Sequence, residues 1–72
     1  MLTFELLERT EEYAKFVFWP EGRGDEGVVI FYADGRRDVL KDSNDDVKRC
    51  YAGHALSGIL KINKDRGTVA WC

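Results

Sequence analysis

Seventy-two residues, 44% hydrophobic and 33% charged, suit one compact domain over residues 1–72 and leave no length for a second. Eleven Lys and Arg against thirteen Asp and Glu give a net charge of -2, so the chain lacks the overall positive field that phosphate-backbone binding requires, and nucleic acid is disfavoured as a partner. The start, Met1-Leu2-Thr3-Phe4-Glu5, has no basic or apolar leader character, and no run approaches the roughly 18 apolar residues of a membrane span. A cytoplasmic location without membrane contact is the expectation, with Cys50 and Cys72 as reduced thiols.

From Leu2 to Arg9 an imperfect alternation sets Leu2, Phe4 and Leu6 on one side of an extended segment, and Leu7 breaks it. Tyr13-Ala14-Lys15-Phe16-Val17-Phe18-Trp19 is aromatic and β-branched and stops at Pro20, which predicts a strand. Helix over residues 3–18 is the main competitor. The stretch from Glu21 to Gly27, with three glycines and three acids, predicts a loop. Gly27-Val28-Val29-Ile30-Phe31-Tyr32-Ala33 reads as the clearest strand. The Asp34-Gly35 pair behind it predicts a type I′ hairpin joining residues 28–33 to residues 36–41.

Ser43 is placed to cap a helix from about Asn44 to Ile62, with Asp45 and Asp46 in the first turn, where the macrodipole favours negative charge. Asn63 or Gly67 can supply the left-handed stop, and Thr68-Val69-Ala70-Trp71-Cys72 reads as a closing strand. The predicted order is β-β-β-β-α-β: an α+β fold with one helix packed across a mainly antiparallel sheet of four to five strands.

On this helix Val47, Tyr51, His54, Ala55, Gly58 and Ile62 form the expected sheet-facing stripe, and Gly58 in its middle predicts a close approach of helix to sheet. Ala52, Leu56, Ile59 and Leu60 form a second apolar stripe, expected to point outward. Val28 to Ala33 is apolar at every position, as in a strand buried on both faces, while one helix covers only one. Together these features predict a surface for a protein partner or a second copy, with Leu56, Ile59, Leu60, Trp19 and Trp71 as interaction residues. The competing arrangement folds the N-terminal segment or the last strand back over that surface.

Gly22-Arg23-Gly24-Asp25-Glu26-Gly27 matches G-x-G-x-x-G, but a strand follows where a phosphate loop opens a helix, and Asp25 and Glu26 would repel phosphate. Arg23-Gly24-Asp25 spells an adhesion tripeptide without an export signal. Cys50 and His54, one turn apart, are candidates for a thiol nucleophile and its base, with no evident oxyanion site. With Cys72 they supply at most three soft metal ligands at no recognised zinc spacing, so no metal or other cofactor is expected.

Charge is uneven: residues 1–30 carry three basic and seven acidic groups, residues 31–46 three and five, and residues 47–72 five and one. Arg36 and Arg37, Lys48 and Arg49, and Lys61, Lys64 and Arg66 make small basic patches suited to an acidic partner or to plain solvation. The leading expectation is a non-catalytic protein-interaction module, a homodimer or an accessory subunit of a larger bacterial or phage assembly. The alternative is a small thiol-dependent enzyme or redox sensor using Cys50 and His54.

Overall fold

The computed structural model describes residues 2–20, 24–44 and 50–69. In chain order the elements are β1 (Leu2–Arg9), β2 (Tyr13–Pro20), β3 (Gly27–Tyr32), β4 (Arg37–Lys41), α1 (Cys50–Ile62) and β5 (Arg66–Val69). The strands form one antiparallel five-stranded sheet in the order β4-β3-β2-β1-β5, and α1 crosses one of its faces. This is the α+β arrangement the sequence predicts. Residues 3–18 take the extended alternative to a helix because their period-two apolar set finds partners on both neighbouring strands.

Leu7, which breaks the alternation of β1, is the extra residue of a β-bulge: the register passes from Leu6↔Phe16 to Glu8↔Lys15, and Leu7 stands 55% exposed. Leu40 plays the same part in β4 between Val29↔Val39 and Val28↔Lys41. The β1–β2 turn is held by Thr10, whose Oγ1 accepts the N–H groups of Glu12 and Tyr13, each at 3.1 Å. Glu12 in turn accepts the Ala33 N–H at 2.8 Å, which ties this turn to the next.

The Asp34-Gly35 hairpin forms, but with a different turn from the one predicted. Gly35 N–H donates to the Tyr32 carbonyl at 3.0 Å, Tyr32 N–H donates to the Arg36 carbonyl at 2.7 Å, and only Gly35 (φ 97°) of the loop residues has positive φ. This is a three-residue loop, a turn closed by a glycine bulge, instead of a two-residue type I′ turn. Asp34 is spared a left-handed backbone, and its carboxylate instead accepts the Arg36 N–H at 3.0 Å and Nε at 2.7 Å. The Arg36 backbone N–H first, and its guanidinium second, hold the Asp34 carboxyl below its ordinary value.

The core lies between α1 and the sheet. One row across it reads Gly67, Phe4, Phe18, Gly27 on β5, β1, β2 and β3. The Phe18 ring occupies the place where a side chain at Gly27 would begin, and the Phe4 ring lies 3.4 Å from the equivalent place at Gly67. Phe16 continues the packing, edge-on to Phe4 at 5.9 Å and to Phe31 at 5.8 Å between centroids. Leu2, Val29 and Val69 complete the buried set on the sheet side.

The helix turns a single apolar arc toward these rings, which corrects the two-stripe expectation. Ala52, Ala55 and Ile59 are buried, and Tyr51, Leu56 and Ile62 pack against the core. At about 100° per residue Ile59 lies only ~40° and Ala52 ~60° from Ala55, so the supposed outer stripe is the flank of the inner one. Leu60, 54% exposed, is its one member that faces out. His54 sits half-buried at the arc's opposite margin. Arg37 extends from β4 and donates to the Leu56 carbonyl at 3.2 Å, tying that edge strand to the helix.

Asn63 takes the left-handed stop (φ 54°), its N–H donating to the Ile59 carbonyl at 3.0 Å, while Gly67 lies inside β5 under Phe4. Asn44 is in a turn instead of a helix, and the predicted cap contacts of Asp45 and Asp46 lie outside the described residues. The Ser43 hydroxyl is buried and donates to the Asp25 carbonyl, and Asn44 N–H donates to the Asp25 carboxylate at 2.6 Å, so this segment locks the β2–β3 loop. The closing strand starts at Arg66, two residues earlier than expected, and residues 70–72 lie outside the described residues.

Gly58 meets β5 as its placement predicts: a Cβ there would stand 2.5 Å from Val69 Cγ1. Gly58→Ala gains up to about 1 kcal/mol of helix propensity but overpacks the contact at a cost of roughly 1–3 kcal/mol. Urea unfolding should show net destabilisation in the wild-type background and a smaller one in a Val69→Ala background, where the Cβ of residue 69, 3.2 Å away, is the one atom of the contact that remains. Equal effects in the two backgrounds would contradict the contact.

Candidate functional site

The pairing register sorts the strand residues between two faces, because directly opposed residues point the same way. The face turned away from α1 carries Tyr13, Lys15, Val17 and Trp19 on β2, and Val28, Ile30 and Tyr32 on β3. Beside them stand Thr3 and Glu5 on β1, and Arg66 and Thr68 on β5. Val17 of β2 and Ile30 of β3 are only 3% and 4% exposed, so the chain itself already covers the middle of this face, and less of it is left uncovered than the apolar run of β3 predicts. Trp19, Val28, Tyr13 and Tyr32 surround them half-buried.

At the β5 end this face opens into a shallow hollow of about 720 Å³ beside Trp19. Its geometry follows from two cross-strand rows. Trp19, Thr3 and Thr68 form one; Val17, Glu5 and Arg66 form the next. The short side chain of Thr3 between the Trp19 indole and Thr68 leaves the depression, and Gly24 (φ 90°), in the β2–β3 loop, borders it. Gly24 and Gly27 of the G-x-G-x-x-G match thus belong to a loop and to the strand after it.

At the opposite end of the same face, the Tyr13 hydroxyl donates to Glu8 Oε1 at 2.9 Å, and Lys15 Nζ lies 3.5 Å from that oxygen and 5.2 Å from the Tyr13 ring. The Arg36 guanidinium stacks 4.7 Å over Tyr32. These contacts give the face a polar margin around its apolar centre.

The residues predicted to carry function do not gather in one place. Trp19 lines the hollow; Leu60 is exposed on the far side of α1; Leu56 is half-buried against the core; Ile59 is 2% exposed and spent inside the chain. Trp71 and Cys72 lie outside the described residues. Cys50 is exposed, and His54 lies one turn further along α1. Among the described residues no group of three or more His, Cys, Asp and Glu is placed to hold a metal ion, and no helix is long and apolar enough to cross a membrane.

Sequence reasoning missed Thr3, Glu5 and Thr68 as lining residues. Each is unremarkable alone, and only the pairing of β1 with β5, remote in sequence, sets them beside Trp19. No protein-family model matches the chain, and no curated protein or solved structure matches it.

The hydrogen bond to Glu8, followed by partial burial and the negative charges of Glu8 and Glu12, raises the Tyr13 phenol above its ordinary value of 10.0. A raised folded-state value means that the stabilisation is present below the unfolded value near 10 and is lost as pH rises through the folded one. Ultraviolet titration of Glu8→Gln should bring Tyr13 ionisation down toward the free phenol. An unchanged titration curve would show that the bond to Glu8 is not its cause.

Proposed function

We propose that the chain is a protein-interaction module that binds another protein as a non-catalytic accessory subunit, through the sheet face turned away from α1. The observation that supports this most directly is the make-up of that face. Half-buried Trp19, Val28 and Tyr32 lie over Val17 and Ile30, which the chain itself already buries, so these three supply the apolar area left to a partner, and charged Glu5, Asp38 and Arg66 stand around them. Protein interfaces have this anatomy, an aromatic and apolar centre inside a polar rim.

The helix side offers less. With Ala52 and Ile59 inside the core, Leu60 is the one large apolar side chain of α1 that stands exposed, and single exposed leucines are ordinary. The contact surface is therefore assigned to Trp19 and its neighbours instead of to Leu56, Ile59 and Leu60. The reading commits to a partner of different sequence, and a second copy, which the apolar sheet face equally suits, is the other occupant.

Affinity-tagged protein expressed in its native host, alongside Trp19→Glu and Val28→Asp variants, tests the proposal. The wild type should retain a stoichiometric protein partner. Each variant, still folded by circular dichroism, should lose it, since removing a central anchor costs about 2 kcal/mol or more, roughly a thirtyfold loss of affinity. Variants that keep the partner, or a wild type that retains none, would overturn the reading.

A further inference from the structure

The sheet has two edges, β4 and β5, and they are protected differently. β4 carries the Leu40 bulge and the charged residues Arg37, Asp38 and Lys41, and Arg37 is fastened to the helix at the Leu56 carbonyl. Bulges and charges are the usual devices that keep an edge from pairing. β5, Arg66-Gly67-Thr68-Val69, has no bulge and no proline, and Arg66 is its one charge.

The direction of the β5 backbone follows from one bond. Leu6 N–H donates to the Asp65 carbonyl at 2.6 Å, and Leu6 and Asp65 stand in the same register as Phe4↔Gly67 and Leu2↔Val69. In an antiparallel ladder hydrogen-bonded and non-hydrogen-bonded pairs alternate, so Gly67 and Val69 turn their backbone groups to β1. Arg66 and Thr68, opposite Glu5 and Thr3, turn theirs outward. Both are exposed, and together they offer two N–H and two C=O groups at the rim of the Trp19 hollow.

The charge around this edge selects its occupant. Arg66 is exposed on the edge itself, exposed Lys61 and Lys64 lead into it from the end of α1 and the turn before β5, and Asp65, the one acid of residues 61–69, pairs with Arg9 at 3.0 Å. Symmetric pairing with β5 of a second copy would bring these cations together, which is unfavourable. An acidic strand reverses the sign of that interaction. Glu5 already faces Arg66 from the inner side, so a carboxylate on an added strand would leave Arg66 between two acids.

We propose, on the basis of the interaction-module reading, that β5 is the docking edge for an extended acidic segment of the partner protein, added antiparallel as a sixth strand. Its residue opposite Thr68 is β-branched or aromatic and extends the Trp19–Thr3–Thr68 row. Its residue opposite Arg66 is Asp or Glu. Because the strands run antiparallel, the apolar residue comes two positions before the acid in the partner's sequence. Main-chain hydrogen bonds then give affinity, and the two side chains give selectivity.

A phage-displayed library of random peptides, panned on the immobilised protein, is the probe. Selected peptides should share an apolar residue two positions before an acid, and a synthetic representative should slow amide hydrogen exchange at Arg66 and Thr68. Arg66→Glu should weaken its binding roughly tenfold or more. Thr68→Pro removes an outward N–H without breaking the β1 ladder and should abolish binding with circular dichroism unchanged. Methylating alternate amides of the peptide should abolish binding to the wild type, and this arm decides the matter if Thr68→Pro does not fold.

No enriched motif, protection at β4 or α1, or indifference to peptide methylation would overturn the docking edge. Protection of Arg66 and Thr68 that rises with protein concentration in the absence of peptide would assign the edge to a second copy instead. If the native partner is retained through Trp19 and Val28 while the edge fails these tests, the inference falls and the interaction-module reading stands.

Discussion

The contact on which the rest of the molecule depends is the close seating of a small-residue helix on a sheet paved with rings. Ala52, Ala55 and Gly58 supply almost no volume, so Phe4, Phe16, Phe18 and Phe31 must fill the layer between α1 and the strands. Those rings in turn need somewhere to lie. The glycines at both ends of the Gly67–Phe4–Phe18–Gly27 row provide it, since the rings lean outward over backbone that carries no side chain. Helix and sheet are complementary because each is bare where the other is bulky, the interdigitation that native packing density demands.

This arrangement determines what is left for the surface. The aromatics of even-numbered β1 and β2 positions are consumed by the core, whereas Trp19 and Tyr13, on the other parity of β2, are directed to the far face with Val17 and Lys15. A one-residue slip would exchange the two sets. The β1 bulge at Leu7 absorbs such a slip locally, so Glu8 and Lys15 meet on the outer face while Leu6 and Phe16 stay inside.

Local patterns in the sequence carry most of this fold, and long-range pairing carries the rest. The six elements, the broken alternation at Leu7, the hairpin at Gly35, the stop at Asn63 and the tight approach at Gly58 are all readable from neighbouring residues. The turn type at Asp34 is not legible in the sequence, because Asp-Gly suits two hairpin geometries and the hydrogen bonds of Tyr32 decide between them. The helix reads as two stripes in the sequence because alanine is a weak marker of a face. Ala52 and Ile59 join Ala55 once the sheet supplies a surface to face. The hollow beside Trp19 had no signal at all, being made by β5 returning to β1 from the far end of the chain.

Closing a sheet of this size with its last strand has a consequence for its edges. A four-residue β5 pairs with β1 through alternate residues only, so half of its backbone groups are spent on the fold and half are directed away from it. At β4 the same surplus sits beside a bulge and an arginine tether; at β5 it sits beside an indole, two threonines and a cluster of cations. Self-pairing at β5 is discouraged by charge, not by shape. A charge barrier, unlike a bulge, turns into an attraction when the approaching strand has the opposite sign, which makes this edge selective where β4 is closed.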